Sequence, residues 1–109
     1  MAYTYKVLAQ SAPSATTNTD VYTVGSGKTA IISTMTIANR GTSSASYRIA
    51  IRPAGATLAN QHYIAYDAVV AGNDTTALTI GLTLAASDVV TVYVSSANIS
   101  FGLFGSEVA

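Results

Sequence analysis

Two stretches of this chain alternate large apolar residues with small or polar ones at a period of two. Between Ala45 and Pro53 the odd positions read Ala45, Tyr47, Ile49 and Ile51, and the even ones Ser46, Arg48, Ala50 and Arg52. Between Thr76 and Leu84 the even positions read Thr76, Leu78, Ile80, Leu82 and Leu84, opposed by Ala77, Thr79, Gly81 and Thr83. A strand sends successive side chains to opposite faces, so each stretch can cover a core with one face while the other meets solvent. The pattern predicts burial of Leu78, Ile80, Leu82 and Leu84, with Tyr47, Ile49 and Ile51 facing the same core. Val90, Val92 and Val94 follow the same rule.

Similar runs lie at Thr4 to Leu8, Val21 to Val24, Ala30 to Asn39, His62 to Tyr66, Val89 to Ser95 and Ile99 to Phe104. Thr, Ser, Ala and Val dominate, and Glu occurs once, as Glu107. β-Branched residues favour pleated surfaces, whereas helices draw on Glu, Lys, Leu and Gln. Turn-forming clusters separate several runs: Gly25-Ser26-Gly27-Lys28, Asn39-Arg40-Gly41, Gly72-Asn73-Asp74 and Ala86-Ser87-Asp88. About eight short strands spaced in this way predict an all-β fold, a single small antiparallel β-sandwich or jelly-roll-like domain. The polar segment Ser11 to Thr19 reads as a linker. It divides the chain into an N-terminal strand or arm with its linker, residues 1–19, and a sandwich domain, residues 20–109. Such an arm can pair with a neighbouring subunit.

Five Lys and Arg balance five Asp and Glu, and only 9% of the 109 residues are charged. A polyanion binder needs excess Lys and Arg, so no nucleic-acid partner is expected. The balance also argues against a polybasic membrane contact, and no apolar run approaches the roughly 20 residues of a spanning helix. No secretory leader is evident at the N-terminus, which points to synthesis in a cytoplasm. Cysteine is absent, which removes disulfides, thiolate metal sites and a cysteine nucleophile. A small domain without such staples, and with few charges on its surface, is expected to bury further area by oligomerising.

The string Gly25-Ser26-Gly27-Lys28-Thr29 invites a phosphate-loop reading, but Tyr22 stands where the motif's first glycine belongs. The strand-like Ala30-Ile31-Ile32-Ser33-Thr34 follows in place of the required helix, so a glycine-rich hairpin is the better reading. His62 is the only histidine; a triad needs a base, an acid and a hydroxyl converging in space, and the bland reading is a surface or interface residue. Asp20, Asp67, Asp74, Asp88 and Glu107 are scattered, with Asp74 and Asp88 placed to cap turns. Neither calcium-loop nor zinc-ligand spacing is present, so no cofactor, metal or catalytic residue is expected. Arg48 and Arg52 share one strand face, which either meets an acidic partner or is simply solvated. Asn73-Asp74-Thr75 and Asn98-Ile99-Ser100 match the glycosylation pattern, and with no secretory leader expected both are read as chance matches. Seven tyrosines against two phenylalanines and no tryptophan suit core edges and protein interfaces.

Val21-Tyr22-Thr23-Val24-Gly25-Ser26-Gly27-Lys28-Thr29-Ala30 and Ile37-Ala38-Asn39-Arg40-Gly41 resemble segments of small all-β virion structural proteins of tailed bacteriophages. Tyr47-Arg48-Ile49-Ala50-Ile51-Arg52-Pro53, Tyr63-Ile64-Ala65-Tyr66-Asp67 and the run from Leu82 to Tyr93 extend the resemblance across most of the chain, from about Val21 to Glu107. Gly25 stands where such proteins usually carry proline in a Thr-Val-Pro-Ala-Gly-Lys turn. The resemblance implies a non-enzymatic building block of the virion, first of all a capsid decoration (cement) protein stabilising the head lattice. A tail, baseplate or fibre-attachment protein is the alternative within that class. The implied partners are further copies of the chain, as a trimer, and a major capsid protein or another phage structural protein. Tyr3, Tyr5, Val7, Arg48 and Arg52 are the candidate interface residues. A carbohydrate-binding β-sandwich module is the rival class, distinguished by exposed aromatics with Asn or Asp around a concave face.

Overall fold

The computed structural model describes residues 3–109. Nine strands follow one another: β1 (Tyr3–Ser11), β2 (Thr19–Thr23), β3 (Thr29–Asn39), β4 (Ala45–Arg52), β5 (Tyr63–Val70), β6 (Thr75–Leu78), β7 (Leu82–Leu84), β8 (Val89–Val94) and β9 (Ile99–Val108). Two single-turn 3-10 helices, Pro53–Gly55 and Asn60–His62, lie between β4 and β5. The strands form two antiparallel sheets. The first runs β1-β9-β3-β6, with β7 also paired to β3, and the second runs β2-β8-β4-β5. The architecture is all-β and sandwich-like.

The pairing is mirrored about the β4–β5 connection. Moving outward from it, β4 pairs with β5, β3 with β6 and β7, β2 with β8, and β1 with β9. The remaining contacts, β3 with β9 and β4 with β8, join the inner and outer halves of this ribbon within each sheet. Inward-facing side chains of both sheets meet in one core. Ile32, Met35, Ile37, Ile49, Val90, Val92, Val94, Ile99 and Leu103 are all but completely buried there. Each large aliphatic side chain so buried contributes about 1.5–3 kcal/mol relative to exposure. Tyr47 and Phe101 close the core with an edge-to-face contact, their ring centroids 6.3 Å apart.

The alternation predicts the core positions of β4 and β8 correctly: Tyr47, Ile49, Val90, Val92 and Val94 are buried, and Ile51 is half-buried. It fails at Thr76–Leu84, which is two short strands where one was expected, raising the count from eight to nine. Gly81 adopts a left-handed conformation (φ +60°) between them, a backbone that glycine enters without steric cost. The chain is thereby re-aimed, so that β6 and β7 pair with opposite ends of β3. Leu84 reaches the core and Leu78 and Leu82 reach its margin, but Ile80 is left 46% exposed in the break.

The segment Gly25–Lys28 is not a hairpin. It makes a tight turn, with the Lys28 N–H donating to the Gly25 carbonyl at 3.2 Å, and carries the chain from the second sheet to the first. The turns after β3, β5 and β7 make the same kind of crossing. Asn39 organises one end of the sandwich. Its buried amide donates to the carbonyls of Ser43 and Val70 and its Oδ1 accepts the Gly41 N–H. Asp74 and Asp88 cap turns as expected: Asp74 accepts the N–H of Thr75, and Asp88 those of Ala54 and Ala85.

Candidate functional site

The outward faces of the two sheets differ in chemistry. Directly paired residues share a face, so the register of the first sheet defines its outer rows: Tyr3–Val108–Thr29, Tyr5–Ser106–Ile31–Thr83 and Val7–Phe104–Thr34. None of these residues is charged. Tyr3, Tyr5 and Val7 are 58%, 82% and 50% exposed, and Ile31 is exposed beside them. Toward the other end the same face dips into an open recess of about 440 Å³, floored by Thr36, Ala38, Ser100 and Gly102 with Phe104 as one wall.

β1, set apart by the sequence reading as an arm, is paired over Tyr3–Ser11 with β9 of the same chain. Met1 and Ala2 of that segment lie outside the described residues. The linker behind β1 is anchored: Pro13 is buried and the Thr16 N–H donates to the Val94 carbonyl at 2.8 Å. Among the described residues no strand is hydrogen-bonded to the second edge of β1. Such an edge offers backbone donors and acceptors to another chain.

Beneath this edge Glu107 forms a nearly buried charge cluster. Its Oε2 accepts the Tyr22 hydroxyl at 2.6 Å, while Oε1 lies 2.8 Å from Lys6 Nζ and 3.8 Å from Lys28 Nζ. The hydrogen bonds from Lys6 and Tyr22 hold the Glu107 carboxyl below its ordinary range, outweighing the opposing effect of burial. Burial, reinforced by Glu107, raises the Tyr22 phenol well above its ordinary value. Lys28, the residue that invites a phosphate reading, is thus part of a structural ion cluster with strand β3 behind it.

The outer face of the second sheet is polar and aromatic. Arg52 donates to both carboxylate oxygens of Asp20 at 3.0 Å, to Thr91 Oγ1 at 3.0 Å, and to the carbonyls of Gly55 and Ala56. Five hydrogen bonds therefore tie β4 to β2, β8 and the first 3-10 turn. Arg48 donates through Nε to Asp67 Oδ1 at 2.7 Å, and its guanidinium lies between two rings, 4.2 Å from the Tyr66 centroid and 4.4 Å from that of Tyr93. Both arginines lie on one face, as their spacing predicts, and each is met by a carboxylate of the same chain.

A β-bulge builds the Arg48 cluster. Tyr47 pairs with Ala68 and Ile49 with Ala65, so the single residue Arg48 faces both Tyr66 and Asp67. Asp67 takes a left-handed backbone (φ +52°), which costs on the order of 1 kcal/mol even for a residue type that tolerates it. Bulges re-aim side chains in this way and are frequent beside functional sites. The Tyr63 and Tyr66 rings meet nearly at right angles, 4.9 Å between centroids, and with Asn60 line a recess of about 380 Å³. Sequence reasoning missed this cluster. The available signal was Tyr63 and Tyr66, three residues apart in a strand, which can share a face only if the strand bulges.

His62 is buried, not at the surface; its Nδ1 accepts the Ala59 N–H at 3.1 Å and closes the second 3-10 turn. Among the described residues no three His, Cys, Asp or Glu side chains group to hold a metal ion, and no helix is long and apolar enough to cross a membrane. No protein-family model matches the chain, and no curated protein or solved structure matches it.

Proposed function

We propose that this chain is a non-enzymatic structural component of a tailed-bacteriophage virion, a capsid decoration protein working as a trimer on the head lattice. One observation carries the reading above the others. Tyr3, Tyr5 and Val7 stand on an uncharged outer face, along a strand that among the described residues is hydrogen-bonded on one edge only. Contiguous exposed apolar area of this kind is uncommon on soluble monomers and marks interfaces. Pairing the open edge with another chain would add backbone hydrogen bonds of about 0.5–1.5 kcal/mol each. The strand order supports a jelly roll: the two orders, β1-β9-β3-β6/β7 and β2-β8-β4-β5, are those of a folded ribbon with nested Greek keys. In that reading β6 and β7 are one interrupted strand. The arginines, occupied by Asp20 and Asp67, leave docking to the first sheet.

Light scattering on the purified chain, followed by gradient sedimentation with tailed-phage heads, tests the proposal. The wild type should be trimeric and band with heads. Tyr5→Lys, which places a charge on an exposed position, should lose both properties while keeping its melting temperature. A wild type that stays monomeric at every concentration and never bands with heads would overturn it.

A further inference from the structure

We propose that the outer face of the second sheet carries a binding site for a neutral carbohydrate, centred on Tyr63, Tyr66 and the Arg48–Asp67 pair. The inference is independent of the assembly reading, which uses the opposite sheet. A pyranose has an apolar C–H face and a rim of hydroxyls, so its site needs a flat aromatic surface with planar polar groups within one ring's width. The recess offers both. Tyr63 and Tyr66 form a right-angled corner, and Tyr66 is more than half exposed. The Arg48 guanidinium stacks 4.2 Å from the Tyr66 ring centroid and pairs with the Asp67 carboxylate, which has half its side-chain surface open to solvent.

The polar groups of the corner are also available. Among the described residues neither the Tyr63 and Tyr66 hydroxyls nor the Asn60 carboxamide has a hydrogen-bond partner, whereas the Arg48 side chain is held on three sides by Asp67, Tyr66 and Tyr93. The recess, at about 380 Å³, falls within the roughly 300–1,000 Å³ of small-molecule sites. Charge selects among ligands. Asp67 neutralises Arg48, and among the described residues no other Lys or Arg pairs with these side chains, so an anionic sugar or a nucleotide phosphate gains little from charge there. Ile64 and Val69 are also exposed on β5 and extend the apolar surface open to a protein partner, whereas at the corner itself rings and ion pair alternate over a few ångströms. Bulge, left-handed Asp67 and the two-ring clamp on Arg48 hold the corner in shape before any ligand arrives.

The test is a titration of the free, isotopically labelled chain with lactose, maltose, cellobiose and chitobiose, with sialyllactose as the anionic probe. Followed by amide and arginine side-chain resonances, at least one neutral disaccharide should shift Arg48, Asn60 to Asp67 and Tyr93. Tyr66→Ala should weaken that binding by at least about tenfold, and Tyr66→Phe, which keeps the ring, should retain most of it. Unchanged melting temperatures for both variants confirm that the fold is intact. Three results would overturn the proposal: no shift from any neutral disaccharide at millimolar concentration, tighter binding of sialyllactose than of lactose, or shifts that survive in Tyr66→Ala. Loss of head binding in Tyr66→Ala, with the sugar panel silent, would assign the face to a protein partner.

Discussion

Replacing Glu107 by Gln tests the most interior charge cluster of the protein. The carboxylate accepts the Tyr22 hydroxyl at 2.6 Å and faces Lys6 at 2.8 Å and Lys28 at 3.8 Å. A hydrogen bond to a charged group contributes about 1.5–3 kcal/mol and a neutral one about 0.5–1.5 kcal/mol, so retaining the Tyr22 contact through an amide oxygen forfeits about 1 kcal/mol. Both lysines are nearly half exposed, and each pair adds no more than about 1 kcal/mol. The variant should therefore lose about 2 kcal/mol at pH 7, or roughly 10 °C in melting temperature for a domain of this size. The difference must also depend on pH. Folding depresses the Glu107 carboxyl below its ordinary value near 4.5, so its contribution is complete above that value and is lost as pH falls through the depressed one. Thermal melts followed by circular dichroism from pH 7 to pH 2 should show wild type and Glu107→Gln converging at the acid end. A gap that is absent at pH 7, or as wide at pH 2 as at pH 7, would refute the assignment.

Tyr22→Phe should flatten the alkaline limb of the same stability curve. The raised Tyr22 phenol contributes stability that is whole below about pH 10 and is lost at higher pH, which alkaline melts will read. Arg52→Ala should cost about 2 kcal/mol in chemical denaturation, and Arg52→Lys should recover little, because an ammonium cannot span Asp20, Thr91 and two carbonyls together. Gly105→Ala should yield little folded protein, since its Cβ would press into the Ile31 carbonyl; Gly27→Ala, at φ +72° with open space around it, should cost only about 1 kcal/mol. Comparative expression and melting of the two glycine variants checks this pair.

What could be read in advance follows from range. The faces of β4 and β8 are local properties of alternating residues, and Tyr47, Ile49 and the valines of β8 were legible for that reason. Thr76–Leu84 alternates as cleanly, yet Gly81 breaks it; a glycine leaves no mark on the apolar pattern, while its backbone decides whether one strand or two results. The crossings between sheets were illegible because the same turn residues serve a hairpin and a crossing alike. Arg48 and Arg52 were placed on one face by their spacing of four, but their carboxylates come from Asp67 and Asp20, on other strands. The aromatic corner needs a bulge whose register is set by β4, a partner that no local pattern in β5 records.

The mirrored pairing has a consequence for how the protein is made. Tyr3 pairs with Val108, so the first strand leaves the ribosome 105 residues ahead of its partner, roughly 5–20 s at ordinary rates of synthesis. The β4–β5 pair, the most local in the molecule, can close first, and each further strand pair must enclose a longer loop than the one before. β9 comes last and inserts between β1 and β3. Until then Tyr3, Tyr5 and Val7 have no sheet to join, and two nascent chains on one message can exchange their first strands. Closure of the first sheet therefore waits on β9, the strand that joins β1 to β3.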